Sequence, residues 1–253
     1  MSRRDEILRE MGLTPAWRLR ERVEREAAIG PAPAAARSAI PIEAAPQPPL
    51  AEPEDRSAVI MQLEWSALKA RIEACVDCRL HQKRTHAVVG VGDEKADWLF
   101  IGEGPGAEED LQGEPFVGQA GKLLDNMLAA IRLKRGENVY IANVVKCRPP
   151  GNRNPQTDEA RQCEPYLKRQ IDLIRPRLIV ALGRVAAANL LGRDASIAGL
   201  RGKLHDYAGI PLIVTYHPAY LLRNLPDKAK AWADLCYAVE TMKGLQTPTD
   251  ATT

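Results

Sequence analysis

The chain has 253 residues, enough for one sizeable core plus an appendage, which excludes a peptide-sized scaffold held together by disulfides. Its 35 Lys and Arg residues nearly balance its 33 Asp and Glu residues, so any nucleic-acid partner must be bound by a local basic patch. No apolar run approaches the ~20 residues of a membrane span, and the first residues are charged, so we expect a soluble cytoplasmic protein without a membrane partner.

The N-terminal quarter of the sequence predicts little packed structure. Residues 1–30 form an arm that is either a short amphipathic helix, with Ile7, Leu8, Met11 and Trp17 on one face, or disordered. Residues 31–57 are rich in Pro and Ala, which indicates a linker, because a core strand or helix cannot continue through so many prolines. The regular domain is expected at residues 58–245, followed by a disordered tail at 246–253.

Four short apolar runs in this domain predict buried strands, at Trp98 to Ile101, Val139 to Val144, Leu178 to Leu182 and Leu212 to Tyr216. Helical patterns lie before, between and after them, at Ala58 to Cys75, Gly121 to Ile131, Gln156 to Ile174, Val185 to Leu191 and Asp227 to Met242. Strands alternating with helices indicate an α/β fold, a three-layer α/β/α sandwich around a parallel sheet. Ligands of such sheets bind beyond the carboxyl ends of the strands, so we expect one shared crevice there.

Four of the five cysteines have the spacing of metal ligands. Cys75 and Cys78 form a C-x2-C pair, and Cys147 and Cys163 follow singly among charged residues. Four thiolates suit either tetrahedral zinc or an iron–sulfur cluster, and a single tight pair with two lone cysteines favours the cluster. Four unrelated core thiols are the alternative. Cys236 lies on the last helix between apolar residues and reads as an inert core thiol.

The first strand runs into a glycine-rich segment that begins Gly102-Glu103-Gly104-Pro105-Gly106. Its spacing matches a dinucleotide-binding turn, but Pro105 removes one of the amides that would bind phosphate, and no acidic residue ends the next strand. A flat ligand approaching the glycine backbone fits better. Glu103 would then offer a carboxylate for chemistry, unless it is only a solvated loop residue.

Three further side chains are expected at the same crevice. Phe116, in a loop between glycines and a proline, either fills a gap in the core or stacks on a planar ligand. Asn143 ends a strand, where its amide can donate and accept hydrogen bonds at once or merely cap a turn. His217 follows the last strand and is either structural or an acid–base or oxyanion group.

Features beyond these strand ends suggest a nucleic-acid surface. Twelve Lys and Arg residues against five Asp and Glu residues lie between Tyr140 and His205, a solvated face or a phosphate track. Past His217, two leucines and an arginine resemble the apolar wedge and cation that unstack a duplex, although a buried helical turn is nearly as plausible. The candidate DNA-binding residues are Arg148, Arg201, Leu221, Leu222 and Arg223.

Together the segments GEGPG, GEPFVGQAG, NVVKCRPPGNRNP and HPAYLLR resemble the family 4 uracil-DNA glycosylases, the iron–sulfur branch of the uracil-DNA glycosylase superfamily. The resemblance spans about Leu63 to Lys243 and includes the four cysteine positions. Gly104 stands where many members have alanine. The resemblance implies a four-stranded parallel sheet, a [4Fe-4S] cluster bound by Cys75, Cys78, Cys147 and Cys163, and excision of uracil from DNA.

The resemblance also implies roles for the residues of the crevice. Gly102, Glu103 and Gly104 would line the uracil pocket, with Phe116 stacked on the base and Asn143 reading its polar edge. His217 would face the departing ring, and Glu103 would orient water, with Asp110 as an alternative carboxylate. The expected enzyme is a monomeric glycosylase that flips uracil out of single- or double-stranded DNA and hydrolyses its glycosidic bond.

Two other functions remain open at this point. One is a superfamily member that binds uracil-DNA tightly or covalently with little turnover, although the basic loop with a reactive histidine expected of that branch is missing between Arg184 and His205. The other is a non-catalytic DNA-binding accessory module recruited through the N-terminal arm, which is in any case a candidate contact for a protein partner.

Overall fold

The structure, a computed structural model, describes the backbone of residues 53–246 and the side chains of residues 56–245. The predicted arm at 1–30, most of the predicted linker and most of the predicted tail lie outside the described residues. Helix α1 (Pro53–Met61) includes the last five residues that the proline pattern assigned to the linker.

A six-stranded sheet forms the centre of the fold. Its strands are β1 (Val91–Gly92), β2 (Trp98–Gly102), β3 (Val139–Asn143), β4 (Leu178–Leu182), β5 (Leu204–Tyr207) and β6 (Ile210–Thr215). The order across the sheet is β1-β3-β2-β4-β6-β5, and the inner four strands pair in parallel. These four are the predicted strands, to within two residues at their ends. The two edge strands pair antiparallel and had no counterpart in the sequence prediction.

The remaining helices flank the sheet. They are α2 (Trp65–Glu73), α3 (Ala107–Gln112), α4 (Gln119–Ala130), α5 (Thr157–Ile174), α6 (Arg184–Leu191), α7 (Ile197–Leu200), α8 (Pro218–Leu221) and α9 (Asp227–Gln246). The single helix predicted from Ala58 to Cys75 is therefore two helices, α1 and α2, with a break at residues 62–64. Among the described helices, none is long and apolar enough to cross a lipid bilayer.

Alternate residues of each inner strand enter different hydrophobic cores, because successive side chains of a strand point to opposite faces. Leu99 and Ile101 of β2 pack with residues of α1, α2, α5 and α6 on one face. Trp98 and Phe100 pack with residues of α4, α8 and α9 on the other face. All five residues of β2, β3 and β4 are buried. The predicted three-layer α/β/α arrangement is confirmed.

Strand register sets where the functional side chains meet. Gly102, the last residue of β2, pairs with Asn143, the last residue of β3. Leu182, the last residue of β4, pairs with Thr215, the last residue of β6. Since the inner strands are parallel, their carboxyl ends lie along one edge of the sheet, and the segments that follow them share that edge.

Candidate active site

A cleft of about 440 Å³ opens at the carboxyl edge of the sheet. Residues that follow β2, β3 and β6 line it, together with the loop that contains Phe116. Of the predicted site residues, six line this cleft: Glu103, Gly104, Phe116, Asn143, His217 and Arg223. The structure thus brings together side chains that are separated by more than 100 residues in the sequence.

Phe116 and His217 lie side by side in the cleft wall, with their rings stacked against each other. Their ring centroids are 5.4 Å apart, with 30° between the ring planes. Gly102 lies behind Phe116, and a Cβ atom at residue 102 would be 2.5 Å from both the Phe116 ring and Asn143 Oδ1. Contacts that close exclude any larger residue at position 102, so this glycine places the ring and the amide side by side.

Asn143 has an unpaired polar atom in a buried setting. Its side chain is 2% exposed, yet Oδ1 has no hydrogen-bond partner among the described residues. Buried polar atoms in native proteins almost always have a partner, since an unpaired one costs about 1–3 kcal/mol. Because Asn143 also lines the cleft, the missing partner is expected to come from a ligand that fills it.

Glu103 supplies a carboxylate to the same cleft. The side chain is half-buried, and no described residue forms a hydrogen bond with its carboxylate. Burial raises the pKa of Glu103, because a charged carboxylate loses hydration there. The backbone of Glu103 is held next to the segment after β3, because its carbonyl oxygen accepts a hydrogen bond from the amide of Val145.

His217 is held as a neutral imidazole with a defined orientation. Burial, with a smaller contribution from the positive charge of Arg223, lowers the pKa of His217 to about 4. The backbone amide of Ala219 donates to Nδ1 over 3.1 Å, so the proton of the neutral ring lies on Nε2. Gly183 follows β4 with a φ of +90° and makes room for this side chain: a Cβ at residue 183 would be 2.8 Å from His217 Cβ. The sequence analysis did not identify Gly183.

The structure places Asp110 outside the residues that line the cleft, which does not support its assignment as an alternative catalytic carboxylate. Asp110 is 3% exposed, and its Oδ1 accepts a hydrogen bond from the amide of Thr85. The acidic residue that does line the cleft beside Glu103 is Glu109. Its carboxylate accepts hydrogen bonds from the amides of Gly106, Val117 and Gly118. Glu109 was missed because the first turn of α3 has three acidic residues in a row, and sequence spacing does not distinguish them.

Two predicted DNA contacts are also corrected by the structure. Leu221 is 1% exposed and packs in the core, so it cannot serve as a wedge in this conformation. Arg201 forms an ion pair with buried Asp234, donates to the carbonyl of Lys230 and lies over the Tyr216 ring, so its Nε and Nη2 donors are used within the protein. Neither the packing of Leu221 nor the contacts of Arg201 could be predicted from local sequence, because the residues that they contact are distant in the chain.

The other predicted DNA contacts remain available. Leu222 is 41% exposed, immediately after buried Leu221. Arg223 is exposed at the cleft, and the described residues include no carboxylate paired with it. Arg148 donates to Asn152 Oδ1 and likewise has no ion-pair partner in the described part of the chain. Their roles as a wedge and two phosphate ligands stay predictions.

A second cavity, on the α5 side of the sheet, is lined by all four predicted metal ligands. Cys75 and Cys78 follow α2, Cys147 follows β3, and Cys163 lies on α5. All four are free thiols, and three of them are buried. The fifth cysteine, Cys236, is only half-buried on α9 and lies away from this group.

Comparison with known proteins places this sequence in a family. The model of the "Uracil DNA glycosylase superfamily" matches residues 89–236, more than half of the chain. The chain is 50% identical to a type-4 uracil-DNA glycosylase of Archaeoglobus fulgidus over 159 residues, which is 60% of this chain and 79% of that protein. The chain belongs to the type-4 uracil-DNA glycosylases. Further members are similar: that of Thermotoga maritima is 48% identical over 63% of this chain and 84% of its own length. That of Pyrobaculum aerophilum is 44% identical over 68% of this chain and 92% of its own length.

In this type-4 family member, donors contact two of the four thiols, and the Cys75 thiol donates to the Asp77 carboxylate. Arg84 donates to Cys147 Sγ over 2.9 Å, and the amide of Lys146 donates to Cys163 Sγ over 3.3 Å. The Lys146 side chain is 1% exposed, and no described carboxylate forms an ion pair with it. Burial lowers the pKa of Lys146 to about 8. Such a charge distribution would complement an anionic group in the cavity.

Burial raises the pKa of each of the four thiols, and that of Cys163 reaches about 12. Without a metal these cysteines would therefore stay protonated, and metal coordination would replace the proton. In the described part of the chain, no three His, Cys, Asp or Glu side chains lie close enough together to hold a single metal ion. The four thiols together line one cavity, which would suit a cluster of more than one metal ion.

Lys146 connects the two sites. Its side-chain ammonium donates to the backbone carbonyl of Asn143 over 2.9 Å and to Gln170 Oε1. Its backbone amide donates to Cys163 Sγ. Lys146 thus links the end of β3, which carries Asn143, to α5, which carries Cys163.

Proposed function

We propose that this protein removes uracil from DNA by hydrolysing the N-glycosidic bond, which leaves an abasic site. Membership in the type-4 uracil-DNA glycosylases supports the activity. Within the structure, the observation that carries the proposal is the unpaired, buried Oδ1 of Asn143 in a cleft with Phe116 and His217. A uracil ring stacked on Phe116 would supply the missing hydrogen-bond partner.

Base recognition follows from the hydrogen-bonding groups of the Asn143 amide. The amide offers an acceptor for N3–H of uracil and a donor for its neighbouring carbonyl oxygen. Cytosine has an unprotonated N3 and an amino group at the corresponding positions, so both groups of Asn143 would be left without a partner. A site built around such hydrogen bonds rejects the mismatched base strongly, because the buried polar groups then remain unsatisfied.

The reaction breaks the C1′–N1 bond, and its electron pair leaves with uracil. Positive charge develops on the sugar while negative charge develops on the departing base. His217 is neutral, with its proton on Nε2, so it can donate a hydrogen bond to a uracil carbonyl oxygen without transferring the proton. Glu103 stabilises the sugar cation, orients the water that attacks C1′ and accepts the proton that this water loses.

We further propose that Cys75, Cys78, Cys147 and Cys163 hold a [4Fe-4S] cluster. The donor set supports this assignment: four thiols line one cavity, buried Lys146 supplies a positive charge, and hydrogen bonds are directed at two sulfur atoms. When bound, the cluster supplies a rigid link between α2, α5 and the segment after β3. Catalysis in the cleft then depends on these elements keeping Asn143 in place.

We propose that side chains at and beside the cleft hold the DNA. Arg223 at the cleft and Arg148 on the neighbouring loop are free to bind phosphate, and Leu222 is exposed where a flipped nucleotide would leave a gap. Both single- and double-stranded DNA are candidate substrates, and the protein is proposed to act as a monomer. The two alternative functions, tight binding with little turnover and a non-catalytic accessory module, find no support in the comparisons.

Release of free uracil from a labelled oligonucleotide tests the proposal directly. The wild-type protein, with its iron content measured, should produce uracil and an abasic site, whereas Glu103→Gln should lower turnover about 100-fold or more with little change in DNA affinity. Cytosine in the same sequence context should not be released. A wild-type protein with full iron content that releases no uracil would refute the activity, and a colourless zinc-containing preparation would refute the cluster.

A further inference from the structure

Phe116 adopts a backbone conformation that a bulky residue rarely takes. Its φ is +55°, in the left-handed region where the Cβ atom crowds the following carbonyl. In this conformation the Phe116 ring lines the cleft and stacks against the His217 ring. Strained backbone of this kind persists only when the surrounding structure holds it in place.

Two oppositely charged side chains hold the four residues from Pro115 to Gly118. Arg135 donates from its two terminal nitrogens to the carbonyls of Pro115 and Phe116, over 2.8 and 2.7 Å. On the other side, Glu109 Oε1 accepts the amides of Val117 and Gly118, over 2.9 and 3.0 Å. Each of these four successive residues therefore forms one backbone hydrogen bond with a charged side chain. Such charge-assisted hydrogen bonds are stronger than those between neutral groups.

Arg135 is itself fixed away from the cleft. Asp125 of α4 accepts from its Nε over 3.0 Å, and the Arg135 side chain is 21% exposed. Arg135 is absent from the residues that line the cleft, so it would not touch a bound base. A guanidinium can reach two adjacent carbonyls at once, whereas the single ammonium of lysine cannot reproduce that fork.

We propose that Arg135 is a positioning residue of the uracil site, which sets the affinity for the base by holding Phe116 in its left-handed conformation. This inference rests on the proposed function, because it assumes that uracil stacks on Phe116. It assigns a part in base binding to a side chain on the loop before β3, on the far side of the Phe116 backbone from the ligand. A merely structural Arg135 would stabilise the fold without affecting base affinity selectively.

The test measures inhibition by free uracil, using the full-length, iron-containing protein. Arg135→Gln should raise the inhibition constant for uracil about 10-fold, while the dissociation constant for uracil-free DNA stays within about twofold. Arg135→Lys should give an intermediate value. Lys134→Gln is the matched control, because it removes the same charge from an exposed neighbour that pairs with Glu137 instead. Its inhibition constant should equal that of the wild type.

A double-mutant cycle separates positioning from general stability. Phe116→Leu removes the ring, so adding Arg135→Gln to it should weaken uracil binding no further. Multiplicative effects in the double variant, or a wild-type inhibition constant in Arg135→Gln, would overturn this inference. If Arg135→Gln does not fold, Arg135→Lys carries the same comparison. Failure of the wild type to release uracil would instead overturn the proposed function.

Discussion

The cleft lies at the carboxyl edge of the sheet and the cysteine cavity on its α5 side, and the polar atoms of the two sites are satisfied in different ways. In the cleft, Asn143 Oδ1 and the Glu103 carboxylate have no partner among the described residues. In the cysteine cavity, Arg84 and the Lys146 amide already donate to sulfur atoms. The unpaired groups of the cleft gain partners only when a ligand binds, whereas the donors to these two sulfur atoms are already in place without one.

This difference predicts that loss of the Asn143 side-chain amide has the largest effect on activity. Asn143→Ala should lower kcat/KM for uracil release at least 1,000-fold, because the base loses both of its polar contacts in a buried site. Single-turnover kinetics and DNA binding would be measured together, and DNA affinity should change only a few-fold. Asn189→Ala, on an exposed face of α6, is the control. A comparable loss of DNA affinity in Asn143→Ala would mean that the residue supports the fold rather than the base.

His217 should give the next largest effect, together with a distinctive pH dependence. His217→Asn retains a cap for the Ala219 amide but loses the Nε2 donor, so turnover should fall about 100-fold. Because the pKa of His217 is about 4, the wild-type rate should show no titration near pH 6.5. An inflection near that pH that disappears in His217→Asn would contradict a neutral imidazole.

The same pKa predicts a stability effect. Below pH 6.5 the unfolded chain protonates His217 while the folded chain does not, down to about pH 4. The wild type should therefore lose stability relative to His217→Asn as the pH falls from 6.5 to 4, and the two should run parallel above pH 7. Thermal melts across this range measure the difference, and parallel curves throughout would count against the shifted pKa.

In the cysteine cavity, the expected effect is on retention of the metal group. Arg84→Gln removes the donor to Cys147 Sγ, so the visible absorption should disappear about 10-fold faster under a chelator. Lys83→Gln, an exposed neighbour, is the matched control and should behave as the wild type does. Equal rates of bleaching in Arg84→Gln and the wild type would show that this hydrogen bond is not needed for retention.

The smallest effect on activity is expected from the leucine pair beside the cleft. Leu222→Ala should slow uracil release from double-stranded DNA several-fold and leave single-stranded substrate and thermal stability nearly unchanged. Leu221→Ala should instead cost about 2–5 kcal/mol of stability, because Leu221 is buried in the core. Chemical denaturation and activity assays on both substrates would distinguish them, and reversed effects would reassign the wedge to Leu221.

Much of this organisation was predictable from local sequence. The four inner strands were recognisable because each is a short apolar run, and parallel pairing then placed Glu103, Asn143 and His217 at one edge. The edge strands were missed for the opposite reason: β1 has two residues, and β5 alternates between exposed and half-buried positions without an apolar run.

Features that depend on distant partners were beyond local patterns. Leu221 and Leu222 are the same residue type, and only the packing of Leu221 against α9 and the sheet distinguishes it as the core residue. Arg201 looked like a phosphate ligand until the structure paired it with Asp234. The hydrogen bonds from Arg135 to the Phe116 loop join residues about 20 positions apart and have no sequence signature.

The most direct test of the central claim is a crystal structure of the iron-containing protein with free uracil. The account predicts that the ring lies on Phe116 and that the Asn143 side chain hydrogen-bonds to its N3–H and a carbonyl oxygen, with His217 Nε2 facing the ring. Uracil bound elsewhere, or bound in the cleft with Asn143 Oδ1 still unpaired, would contradict it.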